Sequence, residues 1–157
     1  MADKCCSSCI TDRICPDGYR YVQHQLTLAP KHAVLSCEGA CIKGEVARTA
    51  ANILAYRLHR DKAVRICLGD ATTGKSGMTE LVLRAPEVIA IEGWPLSCGL
   101  TLLKSRLPDI KATAIDISKL YSFDRETHFE IFDLPREKID EFASIVADQI
   151  SKKYFLE

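Results

Sequence analysis

Eight cysteines in 157 residues are the groups in this chain best suited to chemistry, and their placement tells more than their number. Cys37 closes the strand-like run His32–Ser36, and Cys67 closes the run Ala63–Ile66. Cys98 follows the run Val88–Ile91 across Glu92-Gly93-Trp94-Pro95-Leu96-Ser97, and Cys41 stands one helical turn beyond Cys37. If these runs are parallel strands joined by helices, their carboxyl ends share one edge of a sheet. Ligand sites of open α/β sheets form at that edge. Thiols scattered over sixty residues would then face a single crevice.

Zinc(II) accepts thiolates in a tetrahedral array, and those thiolates can come from loops distant in sequence. Cys37, Cys41, Cys67 and Cys98 could close a four-sulfur site, or Glu92, Asp70 or Asp116 could supply an oxygen in place of one of them. Cys98 falls in the first turn of its helix, where unpaired N–H groups and the positive dipole end favour the thiolate. A plainer reading keeps Cys37 and Cys67 as small strand-end core residues. A second group, Cys5, Cys6, Cys9 and Cys15, opens the chain. Its Cys6-x2-Cys9 pair suits one ion, with Cys5 and Cys15, or His24 or His32, completing the set. An iron–sulfur cluster uses similar ligands and is the alternative cofactor.

Two other chemistries compete. A thiol redox protein would use Cys37, Cys41 or Cys98 as a low-pKa nucleophile. A phosphate-binding loop is suggested by Gly69-Asp70-Ala71-Thr72-Thr73-Gly74-Lys75-Ser76, which fits the G-x4-G-K-S pattern between a strand and a helix. There, backbone amides would cradle phosphates while Lys75 and Ser76 served the phosphate tail and magnesium. Against it, the next helix is cut by Pro86, and the following strand ends in Glu92 where an Asp is expected.

The elements that must position these residues alternate. After the strand His32–Ser36, Gly44–His59 carries Val46, Ala47, Ala50, Ile53, Leu54 and Leu58 at helical spacing. Ala63–Leu68 is a second strand, Gly69–Gly77 a loop and Met78–Arg84 a short helix; Val88–Ile91 is the third strand. Leu96–Leu107 is a helix stopped by Pro108, Thr113–Ile117 a fourth strand, and the last helix starts near Pro135 with Ile139, Phe142, Ala143, Val146 and Ile150 on one face. This alternation predicts an α/β three-layer sandwich with a mostly parallel sheet, Rossmann-like or flavodoxin-like. Residues 1–30 read as a Cys-rich amino-terminal segment, with Tyr19–Leu28 a strand or extended arm, and residues 31–157 as the metal-binding domain.

Composition narrows the partners. The 21 basic and 21 acidic residues cancel, which removes support for nucleic acid and leaves a metal ion as the partner implied. The apolar runs are strand-sized and the amino terminus lacks a signal-peptide core, so no membrane span and a cytoplasmic location are expected. In such a compartment cysteines serve metal or redox chemistry more often than disulfides. His59 and His128 read as solvated surface residues, and Tyr121, Phe123, Phe129 and Phe132 as packing.

Residues 34–117 resemble the DGC-domain family, regarded as zinc-binding and named for an Asp-Gly-Cys motif. Cys37-Glu38-Gly39 resembles its Cys-Ser-Gly-like element, Cys67-Leu68-Gly69 its Cys-Leu-Ala-Gly-like element, and Glu92-Gly93-Trp94-Pro95-Leu96-Ser97-Cys98 its signature Asp-Gly-Cys-Pro-x-x-Cys; Ala114-Ile115-Asp116-Ile117 matches a Thr-Asp-Leu-Gly-like element. Members commonly begin with a Cys-rich segment, as here. The resemblance implies a metal site and a role in metal handling, sensing or delivery. Two positions depart: Glu92 replaces the Asp and Trp94 replaces the first Cys, so Cys41 would have to supply the missing sulfur. Trp94 is expected to wall the crevice.

Overall fold

The computed structural model describes residues 14–122, 132 and 134–156. Among these residues four strands, β1 (His32–Ser36), β2 (Ala63–Arg65), β3 (Val88–Glu92) and β4 (Thr113–Asp116), form one all-parallel sheet in the order β2-β1-β3-β4. The chain runs from β1 outward to β2, then returns past β1 to build β3 and β4 on the other side. Strand order therefore reverses between β1 and β3, where Val34 pairs with Ile89 and Ser36 with Ile91. β3 is buried along its whole length, as a central strand covered on both faces must be.

Among the described residues, six α-helices cover the sheet: α1 (Pro16–Leu26), α2 (Ile42–Ile53), α3 (Leu68–Thr73), α4 (Met78–Arg84), α5 (Cys98–Arg106) and α6 (Arg136–Tyr154). α2 runs on into a π-helical turn at Leu54–Leu58. On one face, Val46, Ala47 and Ala50 of α2 pack with Ile139, Phe142, Ala143 and Val146 of α6 against Val34 and Ile91. The alanines let the two helices approach closely. On the other, Leu68, Met78, Leu81, Leu100 and Leu103 of α3, α4 and α5 cover Ala33, Leu35 and Ala90. The expected three-layer sandwich is what the chain forms.

Several local expectations fail for identifiable reasons. Tyr19–Leu28 is no strand: Pro16 at the first helical position and Asp17 in the first turn start a helix, and the Cys15 sulfur accepts the Gly18 N–H at 3.4 Å as its cap. Val22 anchors α1, where Gly77 approaches it at 3.4 Å from the position of a missing Cβ. His59 is buried, not solvated: it shares a 2.7 Å hydrogen bond with Ser151 and stacks on Phe155 at 4.4 Å. Burial pushes its pKa down. Tyr121 packs on Phe142 as expected, while Phe123, His128 and Phe129 lie outside the described residues.

Candidate metal centre

Cys37 stands at the point where strand order reverses. Its N–H donates to the carbonyl of Ile91 at 2.8 Å, extending the β1–β3 ladder by one rung. The chain then turns through Glu38, Gly39 and Ala40 to Cys41, the residue before α2. A Cβ placed on Gly39 would lie 3.3 Å from the Cys37 sulfur and 3.8 Å from the Cys41 sulfur. Both thiols thus flank the space that this glycine leaves empty.

Glycines make the arrangement possible. A Cβ on Gly44 would sit 2.2 Å from the Gly39 carbonyl oxygen, so the Cys37–Cys41 turn can lie on the start of α2 only because Gly44 has no side chain. Gly93 lets the end of β3 rest on the same turn of α2, 3.1 Å from Lys43 by the same measure. Gly99 brings the start of α5, and Cys98 with it, against the Ser36 carbonyl oxygen at 3.2 Å and the Glu92 carboxylate at 3.0 Å. The amino ends of α2 and α5 therefore meet the carboxyl ends of β1 and β3 at the two cysteines.

Glu92 is only 1% exposed. Its carboxylate accepts the N–H groups of Gly99 at 3.2 Å and Leu100 at 2.7 Å, capping α5 where the Ser97 side chain makes no capping bond. The longer Glu arm is what reaches into the first turn of that helix. Of the other two oxygen candidates, Asp70 accepts the Met78 N–H at 3.2 Å, and Asp116 takes the N–H and hydroxyl of Ser118 on Oδ1 while its buried Oδ2 has no hydrogen bond and lies 3.6 Å from the Lys119 ammonium.

Burial pushes the Cys37 thiol pKa up; the amides of Gly39 and Gly93 pull it back, and the neighbouring Glu92 and Cys41 push it further up. A raised pKa is contrary to Cys37 serving as a low-pKa nucleophile. Trp94 does not line the crevice described below: it stands 41% exposed with the Lys43 ammonium 3.2 Å from its ring centre, and Lys43 is buried beneath it.

Cys67 and Cys15 face elsewhere. Both line a crevice of about 670 Å³ between α1 and α2, at the carboxyl ends of β1 and β2. Cys98 is exposed at the first position of α5. All five described cysteines are free thiols, and Cys5, Cys6 and Cys9 lie outside the described residues. Among the described residues, no group of three or more His, Cys, Asp or Glu side chains is arranged to hold an ion.

The phosphate-loop reading fails on backbone geometry. Residues 68–73 are helical, with the Ala71 N–H bonded to the Cys67 carbonyl and the Gly74 N–H to that of Asp70. Amides spent inside a helix cannot cradle a phosphate. Ser76 is buried between the left-handed Gly74 and Gly77 and donates to the Cys15 carbonyl at 3.3 Å.

Residue types alone did not reveal the ion-pair wall beside Cys37. Arg65, buried at the end of β2, donates to Ser36 Oγ at 2.6 Å, Glu38 at 3.1 Å and Asn52 at 3.0 Å. An arginine closing an otherwise apolar strand was the available signal.

A family model decides the relationship: the DGC domain matches residues 33–146, well over half the chain. The chain belongs to the DGC-domain family. That family is regarded as metal-binding, and the match spans Cys37, Cys41, Cys67 and Cys98. Neither the curated proteins nor the solved structures compared with the chain give a match. No helix among the described residues is long and apolar enough to cross a membrane.

Proposed function

We propose that this DGC-domain protein holds zinc on a thiolate site built around Cys37 and Cys41, with Cys98 as the next ligand, and that it handles or senses the metal. The observation that carries this reading is the pair of sulfurs flanking the missing Cβ of Gly39 at the strand-order reversal. Soft thiolates suit zinc, and sulfur is the donor this corner offers: Glu92 already accepts two backbone amides, and Glu38 is held by Ser36 and Arg65. Bound there, the ion would act as a Lewis acid or as a cargo awaiting transfer, the fourth position being left to water or a partner's ligand. Cys37 must give up its proton to bind, and the Gly39 and Gly93 amides steady the resulting anion. Cys98 stands in the positive field at the start of α5. Balanced charge and five free thiols support a cytoplasmic protein with no nucleic-acid partner.

The test is elemental mass spectrometry on protein purified without oxygen. We expect one zinc per chain from the central site, and two if Cys5, Cys6, Cys9 and Cys15 also load. Cys37→Ser, Cys41→Ser or Cys98→Ser should remove one equivalent, whereas Lys75→Ala should remove none. A metal-free chain, or content indifferent to all three serine variants, contradicts the proposal.

A further inference from the structure

The crevice holding Cys15 and Cys67 has a chemistry of its own, separate from the Cys37–Cys41 corner. Its volume, about 670 Å³, is that of a small-molecule site, and it lies at the carboxyl edge of the sheet where such sites form. Leu68, Met78 and Leu102 give it apolar surface, and Tyr21 and Tyr56 add aromatic surface. Each charged group lining it is already in an ion pair: Asp17 with Arg20, Arg48 with Glu45, and Arg65 with Glu38. Two acidic and two basic side chains line it, so the crevice offers no net charge to attract a charged ligand.

The remaining polar features are specific. Asn52 lines the crevice, and its carbonyl oxygen accepts from Arg65 at 3.0 Å, so the amide N–H2 is the group left to donate. The Cys15 sulfur is engaged in capping α1. Cys67 precedes α3 without any side-chain capping bond and is exposed to the crevice. An uncharged body, a hydrogen-bond acceptor and a centre that suits a thiol are together the features of a conjugated carbonyl compound.

We propose that this crevice binds an uncharged, conjugated carbonyl compound of the enone or quinone type, and that Cys67 adds to it. The Cys67 sulfur forms a C–S bond at the β-carbon, and the π pair of the C=C bond moves toward the carbonyl oxygen. The α-carbon then takes up a proton in place of the one the thiol released. Nothing leaves and no external oxidant is needed. The proposal is independent of the metal reading, since it uses neither Cys37 nor Cys41.

The test compares two maleimides on the full chain, uncharged N-phenylmaleimide and a sulfonated analogue, with labelling read by peptide mass spectrometry. Free glutathione, a thiol outside any crevice, is the reference in the same reaction. The expected neutral-to-charged rate ratio at Cys67 exceeds that at glutathione by about tenfold, as the cost of desolvating a sulfonate requires. The rate at Cys67 should also saturate with reagent concentration, and Leu102→Glu, at a half-exposed position, should abolish both effects. Equal ratios at the two thiols, a rate strictly linear in reagent, or preferential labelling of Cys15 would overturn the proposal. So would labelling of Cys67 only after a chelator is added, because that outcome makes Cys67 a metal ligand instead.

Discussion

Replacing Glu92 with Gln tests the joint that holds the start of α5, and so Cys98, against the carboxyl ends of β1 and β3. Glu92 is buried, and its two oxygens take the Gly99 and Leu100 N–H groups at 3.2 and 2.7 Å. Gln keeps the volume and can still accept from Leu100, but its amide group then faces the Gly99 N–H. One buried donor loses its acceptor, and the negative charge at the start of α5 disappears. Together these cost about 2–3 kcal/mol. With a urea slope of about 2 kcal/mol/M for a chain of this size, the unfolding midpoint should fall by roughly 1 M. The assay is urea denaturation followed by circular dichroism, with hydrogen exchange at Gly99 and Leu100 reporting the joint locally. A midpoint within about 0.2 M of the parent, far below the capping loss just estimated, together with unchanged exchange, would refute the reasoning.

Gly44→Ala places a Cβ 2.2 Å from the Gly39 carbonyl oxygen, so the Cys37–Cys41 turn must move; about 2 kcal/mol of stability and most of the bound zinc should be lost, read by melting and metal content. Near-parental values for both would show that the turn does not depend on that approach. His59 has a folded-state pKa held by burial below its ordinary value of 6.5, so its contribution to stability is complete above that value. As pH falls through 6.5 the unfolded chain takes the proton first and stability drops until the folded imidazole is protonated too. Thermal melts between about pH 8 and about pH 5.5 should therefore fall more for the parent than for His59→Gln, and equal falls would count against a buried neutral imidazole.

The fold was legible because its periodicities are strong. The α6 stripe from Ile139 to Ile150 is buried as its spacing implies, as are Val46, Ala47, Ala50 and Leu54 of α2, whereas Ile53 is half-buried and Leu58 exposed; Met78–Arg84 is a helix with those bounds. α1 differs from the strand or extended arm expected of Tyr19–Leu28 because loose alternation does not register the helix start at Pro16 and Asp17 or the sulfur cap from Cys15. The G-x4-G-K-S match misled for a related reason: pattern matching does not register that residues 68–73 spend their amides within a helix. At the site, the carboxyl-edge placement of Cys37, Cys67 and Cys98 could be read from the alternation of strands and helices, which implies parallel strands. The division between the Cys37–Cys41 corner and the Cys15–Cys67 crevice could not, because it depends on where α1 packs and on the Arg65–Glu38 pair. Nor could Gly44 and Gly99 be singled out, since a glycine's close approach is a property of the assembled backbone.

Zinc K-edge X-ray absorption on anaerobically purified protein tests the central claim most directly. The account predicts a sulfur shell at about 2.3 Å whose sulfur number falls in Cys37→Ser and again in Cys41→Ser. A shell of nitrogen and oxygen alone, or a sulfur shell unchanged by both substitutions, would contradict it.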